Sequence, residues 1–260
     1  MNQSLAKSSQ KLKIICFHGY NNNGKVMEYQ SRHLRKYLEN VADFHFIDSP
    51  HLLEETLQAP RGLAERGFYP PFRSWMQIGR HIKNEQTGYV QRVKNLEIFG
   101  VEESVQHTVQ QFKDHGPFDG VMSFSQGAIF FRHFYRIVKE LDQSLLHQTE
   151  IPKFTISVGG PYFTQHQVNY KQIKFNQFDY KYDIDSLHIY GDQDELQQNL
   201  IEHEIFVNDP IVLRHQGGHN FPRKFDIQRT DKLRRFIEKQ YLKKNANLDD
   251  FKIEHSIFDF

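Results

Sequence analysis

The 260-residue chain has a single cysteine, Cys16, which excludes an internal disulfide and gives no sign of an oxidising compartment. It lacks any run near the ~18 consecutive apolar residues that a bilayer crossing requires. It also lacks a charge excess. Its 33 Lys and Arg against 32 Asp and Glu leave +1, so neither nucleic acid nor a charged membrane is expected as the main partner. No internal repeat and no long low-complexity linker is present. The leader MNQSLAKSSQKLK has no apolar core, which excludes a secretory signal. Acid-free and bearing Ser and Lys, it faintly resembles a transit peptide; a bland leader on a cytoplasmic protein is the expectation.

What is present is an alternation of short apolar runs with helical stretches, the pattern of a mostly parallel sheet covered by helices. Strands are predicted at KIICF (from Lys13), DFHFID (Asp43–Asp48), FDGVMSF, FTISVGG, SLHIYG and PIVLR. Helices are predicted from Val26 to Asn40, Glu102 to His115, Gln126 to about Leu146, near Gln197 to Val207, and Thr230 to Lys243. One α/β domain over residues 1–260 accommodates all of them. The exception is residues 51–98, where Pro60, Gly62, Gly67, Pro70, Pro71 and Gly79 break every period. Phe68, Tyr69, Phe72 and Trp75 in this insertion point to an ordered, packed lid.

The segment GVMSFSQGAIF places Ser125 between a strand and a helix in an S-x-S-x-G match to the strained G-x-S-x-G turn that exposes a nucleophilic hydroxyl. Such a serine needs a base, and the base needs an orienting carboxylate. After SLHIY comes GDQDEL, offering Asp192 and Asp194; after PIVLR comes HQGGHN, offering His215 and His219. Asp194 lies further past the strand end and near the next helix, while Asp192 suits the turn. His219 follows two glycines and has the reach, while His215 sits beside the strand. Acyl transfer further needs backbone N–H donors for the developing oxyanion. Gln126, directly after the serine, and Tyr20, in the FHGYNNNG turn after the first strand, are the candidates.

The set FHGYNNNGKV, FIDSPH, GPFDGVMSFSQGA, IYGDQDE and GGH resembles the FSH family of serine hydrolases from about Lys13 to Tyr241. The resemblance implies an α/β-hydrolase fold and carboxylesterase-type activity without metal or organic cofactor. It implies Ser125, Asp194 and His219 as nucleophile, acid and base, with Tyr20 and Gln126 as backbone donors. Two positions depart from the family. Ser123 replaces the first glycine of the elbow, which predicts a modest adjustment of the turn. Bulky Ile129, Phe130 and Phe131 follow Ala128, as the buried face of the helix or as a narrowed acyl pocket.

Between Leu57 and Glu97, seven Lys and Arg face three Glu, a net of +4. A solvated lid explains this, and so does a substrate with an anionic portion such as a phosphorylated or CoA-linked acyl group. Trp75, with Phe163 further on, is a candidate for acyl binding, or it packs the lid down. His45, His51 and His81 lack zinc-ligand spacing, so no metal site is expected. The tail 244–260, acidic and aromatic, folds back on the body or docks on a partner. The expected function is a serine esterase acting on small acyl esters or thioesters, as a monomer, homodimer or subunit of a larger assembly. The alternative is a hydrolase-fold protein serving as a structural subunit, a role that would not require Ser125, Asp194 and His219 together.

Overall fold

Alternation along the first strand sets the layering of the molecule. In the computed structural model, β1 (Leu12–Phe17) sends Ile15 and Phe17 into one apolar cluster and Ile14 and Cys16 into another, both fully buried. A strand buried on both faces belongs inside a parallel sheet covered by helices. The remaining central strands are β2 (Ala42–Ile47), β3 (Gly120–Phe124), β4 (Phe154–Val158), β5 (Asp185–Gly191) and β6 (Ile211–His215), and the sheet order is β6-β5-β4-β3-β1-β2. Every neighbouring pair is parallel. The structure describes residues 9–53, 62–78, 81–83, 90–92, 96–163, 166–176, 180–196 and 199–246.

Four helices cover the sheet. Helix α1 (Gly24–Lys36) starts at Asn23, whose side chain accepts a hydrogen bond from the Val26 N–H, and ends with His33, Arg35 and Lys36 at its negative pole. Helix α4 (Ile227–Asn245) is capped in the same way by Asp226. Met27 and Leu34 of α1 join Phe236 and Ile237 of α4 in the cluster on the Ile14 face. On the other face lie α2 (Val101–His115), which buries Val105, Val109 and Phe112, and α3 (Gln126–Arg136). Residues 126–135 are all buried, so α3 is enclosed on every side, with Gln126, Arg132 and His133 as its buried polar residues. Among the described residues no helix is long and apolar enough to cross a membrane.

The structure corrects the sequence-based elements in three places. Helix α3 ends at Arg136 and passes into a π turn at Ile137–Leu141 and a 3₁₀ turn at Gln143–His147. Within the described part of the helix expected near Gln197 to Val207, Glu202–Ile205 forms a 3₁₀ turn, with Glu202 drawn inward onto buried partners. A second, four-stranded sheet is formed by Gln77–Ile78, Leu96–Phe99, His166–Tyr170 and Ile173–Asn176. The described parts of 51–98 therefore carry regular pairing, with His51–Leu52 also antiparallel to Arg73–Ser74. Residues 1–8 of the leader and 247–260 of the tail lie outside the described residues.

Candidate active site

Strand order reverses between β1 and β3, since β2 lies outside β1 while the later strands run the other way. Such a switch point leaves a crevice at the carboxyl ends of the strands. Ser125 stands there, the single residue between the end of β3 and the first residue of α3. Its φ of +51° is unusual for any residue with a side chain, the strained turn expected of a nucleophile elbow. The turn is held by the Ser125 N–H donating to the Val158 carbonyl at 3.0 Å. Gly127 is essential to it: a Cβ there would lie 2.2 Å from the Phe17 carbonyl oxygen. Ser123 is buried in β3, paired with Phe17 on one side and Ser157 on the other, and its Oγ has no hydrogen-bond partner.

His219 bridges the other two residues. Its Nε2 lies 2.8 Å from Ser125 Oγ and its Nδ1 lies 2.7 Å from Asp194 Oδ2. A carboxylate can only accept, so Nδ1 carries the proton and Nε2 is free to accept the Ser125 O–H. Asp194 is buried, and its second oxygen accepts from the Leu196 N–H at 2.8 Å, which fixes the carboxylate in a turn. Two glycines make room for this chain of contacts. A Cβ on Gly191 would meet the Gly218 carbonyl oxygen at 2.2 Å, so the His219 loop crosses directly over the end of β5. Gly159, at φ +56°, lies beside the imidazole, where a Cβ would be 3.1 Å from His219 Cε1. Phe124 braces the ring from a centroid distance of 5.1 Å.

The two alternatives at these strand ends sit elsewhere. Asp192 is an exposed turn residue paired with Arg214 at 2.7 Å. His215 is the last residue of β6 and accepts from the Gly217 N–H through Nδ1.

The two backbone donor candidates flank the serine. Gln126 opens α3, where the first N–H groups of a helix have no partner within it. Tyr20 follows Gly19, at which a Cβ would sit 3.4 Å from Ser125 Cβ, so the Gly19–Tyr20 peptide passes beside the hydroxyl. His18 fixes that peptide. Its Nε2 accepts from the Ser49 N–H at 3.1 Å, so Nδ1 is protonated and donates to the Gly19 carbonyl at 2.8 Å. In a planar trans peptide the Tyr20 N–H then points the opposite way. Burial pushes the His18 pKa down to about 4, so the ring stays neutral in this role.

Sequence reasoning missed His18, Gly159 and the side chain of Gln126. Gln126 Oε1 accepts from the Trp75 N–H at 2.9 Å and Nε2 donates to the Met76 carbonyl at 2.9 Å, so the residue after the serine clamps the insertion. The Gly159-Gly160 pair after β4 was the only signal for Gly159. Trp75 is fully buried, stacked on Phe130 at 4.7 Å, with its indole N–H donated to the His18 carbonyl. It packs the insertion onto α3. Phe163 is half-buried against the same core, with its ring centroid 4.8 Å from His166. Ile129, Phe130 and Phe131 are all buried. Among the described residues no group of three His, Cys, Asp or Glu could hold a metal ion.

The model of the family described as Serine hydrolase (FSH1) matches residues 7–230. The chain belongs to the FSH serine hydrolases. It is therefore a hydrolase, and named esterases are among its relatives. Drosophila melanogaster Esterase CG5412 is 26% identical over 247 residues, covering 92% of this chain and 81% of that protein. Esterase OVCA2 of Danio rerio is 27% identical over 236 residues, covering 88% of this chain and 99% of that protein. In architecture this FSH hydrolase is similar to Zea mays acyl-protein thioesterase 2, at TM-score 0.51 and 14% identity, covering 90% of this chain and 96% of that one. It is also similar to ClbQ from the colibactin NRPS/PKS pathway, at TM-score 0.53 and 13% identity, covering 90% and 99%. At those identities the likeness speaks to the fold, an α/β-hydrolase fold.

Proposed function

We propose that this FSH hydrolase is a serine esterase that cleaves small acyl esters through an acyl-enzyme on Ser125. Ser125 Oγ attacks the ester carbonyl while its proton passes to His219 Nε2, and Asp194 stabilises the imidazolium. The developing oxyanion takes the N–H groups of Tyr20 and Gln126. His219 then gives the proton to the leaving alcohol, and water repeats the sequence to release the acid. Thioesters pass through the same steps. The observation that carries this reading is the single imidazole within 2.7 Å of Asp194 and 2.8 Å of Ser125. The strained φ of Ser125 would have no use in a purely structural subunit. The insertion, pinned by Gln126 and Trp75 beside the elbow, serves as the lid.

D194N tests the assignment. The amide donates where the carboxylate accepted, which turns the imidazole to the wrong tautomer, and kcat on p-nitrophenyl butyrate should fall by about 10⁴. Activity within tenfold of the parent would remove Asp194 from the site. H18F probes the peptide that presents Tyr20 N–H. Releasing the Gly19 carbonyl should lower kcat about 10²-fold with little change in KM, as misplaced transition-state donors do. A rise in KM at constant kcat would instead make His18 a residue that serves ground-state binding.

A further inference from the structure

On the far side of the His219 loop, a 590 Å³ cleft opens between α1, the segment at Gly62–Arg66 and the stretch from His215 to Lys224. Its wall carries Arg32, His33, Arg66, Arg223 and Lys224, and among the described residues no Asp or Glu lines it. Among the described residues none of the three arginines or Lys224 forms an ion pair. A cleft of similar volume between β6 and α4 offers the contrast, because Asp185 and Asp209 there offset Arg235 and Lys239.

Two further observations show that the cationic wall is organised. Arg32 lies 4.0 Å over the ring of Tyr29, and Arg66 donates to the Tyr29 hydroxyl at 2.7 Å, so one tyrosine orders both guanidinium groups. His215, also in the lining, is 92% buried, and its Nε2 has no hydrogen-bond partner. Because Nδ1 accepts from the Gly217 N–H, Nε2 is the protonated nitrogen, a donor without an acceptor. Such a donor is costly to bury, and an oxygen of a ligand in the cleft would satisfy it. Burial holds His215 below the usual histidine pKa, against the opposing effect of the Asn220 backbone and the Asp192 and Asp194 charges. His33 is likewise lowered, by burial first and then by the charges of Arg32, Lys36 and Arg223, so the positive field reaches into the cleft.

We propose that this cleft is a phosphate-binding site that takes the phosphate-bearing leaving portion of an acyl substrate whose acyl group is delivered to Ser125. The inference rests on the esterase reading. Planar guanidinium forks pair with phosphate oxygens in two-point contacts, which an exposed lysine pair would not provide. The cleft is lined by His215, Gln216, Gly217, Asn220 and Phe221 of the loop that carries the base, so the one loop joins the two sites.

The test compares octanoyl-CoA with p-nitrophenyl octanoate in the parent and in R66Q/R223Q/K224Q, whose three side chains are all exposed and leave the core untouched. The ratio of kcat/KM for the thioester to kcat/KM for the neutral ester should fall about 100-fold, as expected when several charge-assisted hydrogen bonds are removed together. Raising the ionic strength to about 1 M, where the Debye length is about 3 Å, should lower the same ratio in the parent. Calorimetric titration with inorganic pyrophosphate should show binding to the parent and to S125A, and loss of binding in the triple variant. An unchanged ratio together with pyrophosphate binding assigns the cleft to a free phosphate ligand and overturns the substrate role. No pyrophosphate binding overturns the site itself. If the parent cleaves neither ester, the esterase reading fails, while the titration still reports on the cleft.

Discussion

Replacing Ser125 by alanine should lower kcat on p-nitrophenyl butyrate by about 10⁶, leaving only what the oxyanion donors and binding contribute. The hydroxyl is the atom that attacks, and no other serine on the described strand ends lies within reach of His219 Nε2. The fold should survive the change. Alanine meets the same backbone strain at φ +51° as serine does, and Gly127 still lets α3 close on the Phe17 carbonyl. The S125A/H219A double variant should be no slower than S125A, because the two residues act as a unit. A residual rate within tenfold of the parent, in protein with unaltered thermal unfolding, would place the chemistry elsewhere.

Arg132 to Met should destabilise the protein by about 3–5 kcal/mol, the cost of leaving a buried charge without its partner. Arg132 lies about two turns along α3 from Ser125 and pairs with Glu202; both side chains are 1% exposed. A second contact runs from Arg132 Nη2 to the Pro161 carbonyl at 2.6 Å. Glu202 also accepts from His188 Nδ1 at 2.9 Å, and His188 Nε2 bonds Ser186. Burial lowers Arg132 to about pKa 10, so it stays charged at neutral pH, and burial holds His188 well below the usual range, so it stays neutral. The pair thus ties the serine helix to the segment after Asp194 and to the loop after β4. Gly160 makes the approach possible, since a Cβ there would stand 2.5 Å from the Glu202 carboxylate. Thermal melting of R132M should show a midpoint about 10 °C lower. R132M/E202Q should recover most of the loss, because the neutral amide still accepts from His188 and no orphaned charge remains. A single variant within 1 kcal/mol of the parent, or a double variant no better than the single, would contradict this account; the ~1 kcal/mol scale is that of an ordinary surface change.

Ser125, Asp194 and His219 were legible because each stands just past the end of an apolar strand, Ser125 directly and followed by Gly127, Asp194 and His219 after short glycine-containing turns, and the three occur in a fixed chain order. The parallel sheet was legible for the same reason, since its inner strands are buried on both faces and read as apolar runs. The hairpin at His166–Asn176 was not. Its turn places Lys171 at φ +42° and Gln172 at φ +67°, a conformation normally announced by Asn or Gly, and here stabilised by Lys171 bonding Asp142 at 2.6 Å. The 3₁₀ turn at Glu202 escaped because its helical composition is overruled by the pull of Arg132 and His188. Trp75 could be read as channel lining or as packing from composition alone; its stacking on Phe130 depends on a contact with α3 far along the chain. The basic cleft assembles residues from three separated segments, so no local pattern could announce it.

The most direct test of the central claim is labelling with a fluorophosphonate probe, which bonds only to an activated serine, followed by mapping of the modified peptide. The parent should label on Ser125, D194N should label far more slowly, and S125A should not label. A folded parent that fails to label, or an S125A variant that labels equally, would contradict the assignment of Ser125 as the nucleophile.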